Sequence, residues 1–383
     1  MNTAFLKDIL ILSFSAFGGP SAHIALALDH LVKRKNYLTE EELVELMALC
    51  SILPGPTSTQ TITSIGYKLG GPVLALLTLA TWVMPAIIGM SLLSFGYVYL
   101  QQQSFSLDFL RFIPAVAVGF VIYAAYKIGH KVVKSKLTGV LFLLSGIAAI
   151  IFRSPWAFPI ILLVGGLVSD LTGEDEAVAN VERPKIQWKF LFLFALIFLG
   201  SFLAVQIFPN KSVALFESFY RFGSLVFGGG QVLIPIMQTE VVDAKNWLTN
   251  EEFLTGYGLV QGMPGPVFSF SAFAGGLAMR DGMQVLGCLL GAIGIFLPGT
   301  LLIFFVYPAW NYLKQYRHIR KAMPGINAAA GGLILAAVYV LGSSLEVTWW
   351  PYALAILSFC LLEFLKIPGF YVIFGALLLG FLI

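Results

Sequence analysis

The feature that most constrains this chain is a Pro-Gly-Pro tripeptide that occurs twice inside apolar sequence, at residues 54–56 and 264–266. Proline lacks the backbone donor that a helix needs, and its ring clashes with the preceding turn, so no continuous helix passes through either tripeptide. At membrane depth an interrupted helix is tolerated only where it is buried in protein or lines a watery cavity. The tripeptides therefore predict half-helices that end inside the protein.

The composition places these breaks in a membrane protein. Hydrophobic residues make up 58% of the 383 positions and charged residues 11%, which excludes an ordinary soluble domain. Apolar runs at 73–99, 190–208 and 285–306 are long enough to cross a hydrocarbon core of about 30 Å, which needs about 20 residues. Residues 1–8 do not resemble a removable signal, and three scattered cysteines predict neither a disulfide framework nor a zinc site. We predict an all-α polytopic membrane protein.

The chain also matches itself at an offset of 210 residues. Phe17-Gly18-Gly19 aligns with Phe227-Gly228-Gly229, and Pro114 aligns with Pro324, without a gap between them. Two related halves are typical of secondary transporters, whose binding site lies between the halves near the bilayer midplane. We predict a first repeat at 1–171, a linker with a linking helix at 172–212, and a second repeat at 213–383.

The distribution of basic residues predicts that the two halves are inverted. Cations cluster at 33–35 and 127–136 in the first half and at 314–321 in the second, whereas 101–107 and 342–347 have none. Because cytoplasmic loops are enriched in Lys and Arg, we expect the N-terminus inside, the C-terminus outside and the charged linker in the cytoplasm.

The same distribution of basic residues predicts how the chain crosses the membrane. A half-helix of about 12 residues spans only about 18 Å, too short to cross alone. We therefore expect two re-entrant hairpins in each half, one broken at Gly-Gly and one at Pro-Gly-Pro. About four crossings in each half and the linking helix give nine crossings. The alternative is that each hairpin helix crosses fully.

The breaks predict a binding site for an anion. Helix N-termini present unpaired N–H groups and about half a positive charge each, so four converging tips bring up to about +2. The tip at the first Pro-Gly-Pro break is rich in hydrogen-bond donors, which predicts contact with an anion. The alternative is that these side chains only cap the N-terminus of the helix. The predicted anion-binding residues at this tip are Gly55, Thr57, Ser58, Thr59 and Gln60.

The other tips are glycine-rich or more apolar. Glycine lets the backbone approach a ligand closely, and His23 either binds the anion, gains a proton with it, or only packs one hairpin against another. The candidates in the first half are Gly18, Gly19, Ser21, Ala22 and His23. Those in the second half are Gly229, Gly230, Gln231, Gly265, Ser269 and Ser271.

Two further candidates lie outside the tips. Arg221 falls at membrane depth, where a charge indicates function by default, but Glu217 four residues earlier is an alternative, structural partner. Asn327 is a weaker candidate from a neighbouring crossing. We assign Glu42 and Glu252 to capping boxes rather than to proton transfer, because each follows a threonine by three residues.

These motifs resemble a known family. Phe17-Gly-Gly-Pro-Ser-Ala-His-Ile24, Leu53-Pro-Gly-Pro-Thr-Ser-Thr-Gln60, Phe227-Gly-Gly-Gly230, Glu240-Val-Val242 and Val260-Gln-Gly-Met-Pro-Gly-Pro266 are similar to the long, two-domain form of the chromate ion transporter family. The resemblance implies an inner-membrane carrier that exports chromate, driven by membrane potential or the proton gradient, with sulfate as a structural mimic. Gln231 departs from the family, which often has histidine there.

Two other functional classes stay open, an anion channel and an intramembrane enzyme that acts on a lipid or phosphate ester. No hydrolase elbow, zinc-protease motif or phosphate loop occurs in the sequence. We therefore predict no catalytic residue, metal or cofactor, and the partners are an oxyanion and the lipid bilayer rather than nucleic acid. Protons as the coupling ion, a homodimer and the physiological oxyanion stay open.

Overall fold

The structure is a computed structural model that describes residues 2–17, 19–152, 157–172, 187–226, 233–310 and 317–382. Within these ranges the regular structure is helical and no strand occurs, which confirms the predicted all-α fold. The first part of the chain forms α1 (Asn2–Ser15), α2 (Gly19–Ala27), α3 (Glu40–Ile52), α4 (Thr57–Gln102), α5 (Ile113–Val132), α6 (Lys136–Ile151) and α7 (Ala157–Thr172). α4 consists of two helical stretches that meet at a kink, where the backbone of Gly70 and Gly71 is not helical.

A single helix, α8 (Trp188–Ile207), leads to the second part of the chain. It contains no buried residue, and its sequence is apolar except for Lys189, Ser201 and Gln206. The second part forms α9 (Lys211–Leu225), α10 (Leu233–Gln238), α11 (Asn250–Gln261), α12 (Phe270–Ala278), α13 (Gln284–Val306), α14 (Arg317–Ser343), α15 (Trp349–Glu363) and α16 (Gly369–Leu382). Most of the charged linker lies outside the described residues.

Local sequence explains several helix boundaries. The Thr39 and Thr249 side chains accept from the backbone N–H of Glu42 and Glu252, whose carboxylates accept from the threonine N–H in return. These reciprocal bonds confirm the predicted capping boxes. Residues 33–35 were expected in a loop. Instead, α2 continues as a π-helical turn over Leu28–Arg34, which includes the first two of these basic residues.

Helix lengths agree with a multi-pass membrane protein. Five described segments are long and apolar enough to cross a membrane, at residues 57–102, 108–132, 188–207, 284–309 and 320–343. The helices α6, α7, α15 and α16 have 14 to 16 residues and are also apolar. The number of crossings and the re-entrant hairpins stay predictions.

The two parts of the chain are packed into each other. α5, α6 and α7 from the first part pack against α14, and α5 also packs against α15. Glycine permits these contacts, since a Cβ added to Gly325 or Gly332 would collide with the backbone of Gly165 or Phe142. The first turns of α4, residues 58–67, are buried throughout, so the Pro-Gly-Pro breaks lie inside the protein.

Candidate functional site

Both Pro-Gly-Pro tripeptides interrupt the helix, as their prolines predict. α3 ends at Ile52 and α4 begins at Thr57, while α11 ends at Gln261 and a short 3₁₀ turn over Val267–Ser269 leads into α12. The central glycines have φ of +123° at Gly55 and +111° at Gly265. Only glycine adopts such angles without strain, which explains why this residue separates the two prolines.

Each Pro-Gly-Pro break is hydrogen-bonded to the other part of the chain. The N–H of Gly55 donates to the carbonyl of Val226, just after α9, at 2.6 Å, and the N–H of Gly265 donates to the carbonyl of Ala16, just after α1, at 2.9 Å. These reciprocal bonds bring the ends of α1 and α9 to the starts of α4 and of the turn before α12. They also cover carbonyl oxygens at two helix C-termini, which would otherwise repel an anion.

The polar cluster at the start of α4 is partly engaged in internal bonds. The indole N–H of Trp82 donates to Thr59 Oγ1 at 3.3 Å, and Gln60 Nε2 donates to the Pro54 carbonyl at 2.7 Å. The buried Gln60 Oε1 has no partner among the described residues. The half-buried Thr57 hydroxyl likewise receives no bond from the part of the chain that the structure describes. Thr57 is therefore the hydroxyl in this cluster that is best placed to donate to a ligand.

His23 joins three elements at this place. It is 1% exposed, its Nδ1 lies 3.1 Å from Ser58 Oγ in α4, and its Nε2 lies 3.1 Å from the Ala16 carbonyl oxygen. The ring meets Trp82 edge to face, with centroids 5.3 Å apart. The same Ala16 carbonyl accepts from Gly265. His23 thus packs one broken helix against another and also borders the polar cluster.

The second break contributes two serines in a more apolar setting. Ser269 and Ser271 are 0% and 1% exposed and alternate along the chain with the buried residues Phe268 and Phe270. Neither hydroxyl has a hydrogen-bond partner among the described residues. A buried hydroxyl without a partner is unfavourable, so Ser269 and Ser271 stay candidates for contact with a polar ligand.

Arg221 is engaged by carboxylates. Its Nε donates to Glu217 Oε1 at 2.6 Å, and its Nη2 donates to Glu240 Oε1 at 2.6 Å and to Oε2 at 2.8 Å. Ser218 also donates to Glu240 at 2.6 Å. Arg221, Glu217 and Glu240 are all less than 8% exposed. This geometry favours the structural alternative for Arg221, and direct contact with a substrate stays a prediction.

We expect Arg221→Gln to destabilise the fold by about 3–5 kcal/mol, because it leaves two carboxylates buried without their cation. Thermal unfolding in detergent measures the change. The matched control is Arg34→Gln, since Arg34 pairs with Asp29 at 2.7 Å while 66% of its side chain is exposed, and loss of an exposed pair costs at most about 1 kcal/mol. Equal midpoints for the two variants would contradict the structural role.

The remaining predicted residues that the structure describes lie in α2 and α14. Gly19 begins α2 with φ of +77° and Ala22 is half-buried in the same helix. Asn327 is half-buried in α14 and makes no hydrogen bond to the described part of either break. The predictions that lie outside the described residues concern Gly18, Gly229, Gly230, Gln231 and the side chain of Ser21.

Sequence reasoning missed three contributors to the site. Trp82 lies 23 positions after Thr59, in an apolar run where no local pattern distinguishes it. The carbonyls of Ala16 and Val226 carry no side-chain signal at all. The sequence signal that could have found them is their position, because Ala16 and Val226 directly precede the Phe-Gly-Gly motifs of the two halves.

An all-helical, multi-pass protein whose interrupted helices meet in its core has the construction of a secondary transporter. A family model described as the chromate transporter matches residues 3–169 and again residues 213–381. The protein belongs to the chromate transporter family, which confirms the resemblance seen in its motifs.

Individual relatives agree with this membership. A chromate transport protein of Cupriavidus metallidurans is 26% identical over 383 residues, which cover 95% of this chain and 88% of that protein. A chromate transport protein of Pseudomonas aeruginosa is 25% identical over 344 residues, 86% of this chain and 77% of its own length. An uncharacterized transporter of Bacillus subtilis is 26% identical over 180 residues, which are 45% of this chain but 99% of that protein. None of the solved structures matches this chain significantly.

Proposed function

We propose that this protein is a secondary transporter of chromate or a similar tetrahedral oxyanion, with sulfate as a competitor. The observation that carries the proposal is the pair of reciprocal bonds, Gly55 to Val226 and Gly265 to Ala16, which gathers the interrupted helices at one place. Membership of the chromate transporter family supports chromate as the substrate. Export across the cytoplasmic membrane follows from the family resemblance.

The charge of the substrate suits this place. A dianion leaves water only where donors and positive potential replace its hydration. The N-terminus of α4 and the turn before α12 supply unpaired backbone N–H groups and the positive ends of helix dipoles. Thr57 and Ser58 from one half, and Ser269 and Ser271 from the other, add hydroxyl donors. The anion would lie between the two halves.

We propose that the halves are inverted repeats with re-entrant hairpins, the N-terminus in the cytoplasm and the C-terminus outside. The inversion and the orientation rest on the positions of the basic residues, at 33–35, 127–136 and 314–321. Three observations support the repeat itself. The family model matches twice, π-helical turns occur at Leu28–Arg34 and Thr239–Ala244, and a half-length relative is matched almost completely by part of this chain. Two such halves provide the alternating access that secondary transport requires.

Radiolabelled chromate flux in proteoliposomes tests the function. We expect saturable uptake, counter-transport against internal unlabelled chromate, and competition by sulfate. Molybdate and phosphate, added in the same way, define the selectivity. Non-saturating flux with single-channel currents would instead identify a channel, and absence of any oxyanion flux would refute the proposal.

We predict that Ser269→Ala with Ser271→Ala lowers oxyanion affinity about 100-fold or more without lowering stability, because hydrogen bonds to a charged group contribute about 1.5–3 kcal/mol each. Both hydroxyls lack partners among the described residues, so their removal leaves nothing unpaired. Chromate binding and thermal unfolding measure the two effects. Ser224→Ala is the control, since that buried hydroxyl bonds to the Tyr220 carbonyl of its own helix. Unchanged affinity in the double variant would exclude these serines from the site.

A further inference from the structure

The contacts of His23 determine which ring nitrogen carries a proton. Its Nε2 lies 3.1 Å from the Ala16 carbonyl oxygen, and a carbonyl oxygen only accepts hydrogen bonds. Nε2 is therefore the donor. In the neutral ring Nδ1 then accepts from the Ser58 hydroxyl at 3.1 Å. Because serine has a single hydroxyl hydrogen, the neutral histidine occupies the one donor that Ser58 could offer to an anion.

Protonation of Nδ1 reverses this bond. The ring then donates to Ser58 Oγ, and the hydroxyl hydrogen of Ser58 becomes available to an anion at the N-terminus of α4. The imidazolium also places a positive charge next to that anion. Proton binding and anion binding each make the other more favourable, and linkage requires the two effects to be equal in size.

The charged groups on the helices around His23 lie several turns away from it. Lys68 lies about 15 Å beyond Ser58 along α4, and Asp8 lies about 12 Å before Ala16 along α1, at 1.5 Å per residue. Asp8 is paired with His30 at 3.0 Å. The titratable and charged groups on the elements packed around α2 are Lys7 and Asp8 in α1, Asp29, His30, Lys33 and Arg34 in the following π-helical turn, and Tyr67, Lys68, Tyr97 and Tyr99 in α4.

We propose that His23 is the proton-binding site of this transporter, taking up a proton from solvent on Nδ1 as the oxyanion binds and releasing it to solvent when the anion leaves. The inference rests on the proposed oxyanion transport. It means that anion and proton cross in the same direction, so a dianion carries one net negative charge across the membrane instead of two. Export is then driven by the membrane potential and not by the inward proton gradient.

Proton uptake by the purified protein tests the proposal directly. Selenate is the probe, because it stays a dianion near neutral pH and takes up no proton itself. In weakly buffered detergent with a pH-indicating dye, wild-type protein should take up about one proton per bound anion. His23→Gln should bind selenate without proton uptake, and the control His30→Gln should behave as wild type. Unchanged proton uptake in His23→Gln would overturn the assignment, whereas failure of wild-type protein to bind any oxyanion would refute the proposed function instead.

Two measurements on wild-type protein avoid any folding defect of the variant. Among the four histidines, ¹⁵N spectroscopy should show one neutral ring protonated on Nε2 that becomes an imidazolium when selenate is added. In proteoliposomes with the membrane potential clamped, selenate uptake should accelerate when the outside is more acidic than the lumen. Histidine signals that ignore selenate, or slower uptake under the acidic gradient, would overturn the proposal.

Discussion

Chromate uptake into inverted vesicles should fall at least about 100-fold when Thr57→Val is combined with Ser58→Ala. The double variant removes two hydroxyl donors from the first turn of α4, and each hydrogen bond to a charged group contributes about 1.5–3 kcal/mol. The backbone N–H groups of the turn stay in place, so the helix start itself is retained. Initial uptake rates, normalised to the amount of protein in the membrane, give the result.

The matched control is Thr61→Val with Thr63→Val, one turn further along the same helix. Those hydroxyls donate to the carbonyls of Thr57 and Thr59 within α4, each at 2.8 Å. Their loss removes a local bond and no donor to a ligand, so uptake should stay within a few-fold of wild type. Full activity of the Thr57 and Ser58 variant at normal expression would exclude the first-half tip as the site.

Gly265→Ala should also abolish transport, through the backbone. A side chain at φ of +111° is strained by about 1–3 kcal/mol, and the added Cβ would lie 2.8 Å from the Ala86 Cβ. Relief of both effects requires the break to move, which disrupts the bond from Gly265 to Ala16. Gly55→Ala should act alike, since its Cβ would lie 2.5 Å from Gln60 Nε2. Thermal unfolding and chromate uptake measure the two consequences.

Gly200→Ala is the control for these glycine variants. Gly200 lies in α8 and an added Cβ would have no neighbour within 4 Å, so alanine should be neutral or raise helix stability by up to about 1 kcal/mol. Uptake at the wild-type level in Gly265→Ala would show that the exact position of the break does not matter for transport.

The interruptions and the helix starts were predictable because their causes are local. The Pro-Gly-Pro sequence at 54–56 and at 264–266 stops a helix, and a threonine followed three residues later by glutamate caps one. The hydroxyl-rich start of α4 marked the first-half tip for the same reason. Each of these features depends on residues within a single turn.

The contacts that assemble the site were not predictable, because they join residues far apart in sequence. Gly55 bonds to Val226 through the backbone alone, so no choice of side chain records the pairing. For Arg221 the sequence offered Glu217, four residues earlier, as one alternative, and that contact forms, but nothing pointed to Glu240, which joins it across 19 positions. Trp82 contacts both Thr59 and His23, and the apolar sequence around it gives no sign of either contact.

The most direct test of the account is to locate the bound anion. Diffraction from crystals grown with chromate, recorded at the chromium absorption edge, gives the position of the metal atom independently of any interpretation of the protein. The account predicts one anomalous peak between the N-terminus of α4 and the turn before α12, within hydrogen-bonding reach of Thr57 and Ser269. A peak elsewhere in the protein, with that place filled by apolar side chains, would contradict it.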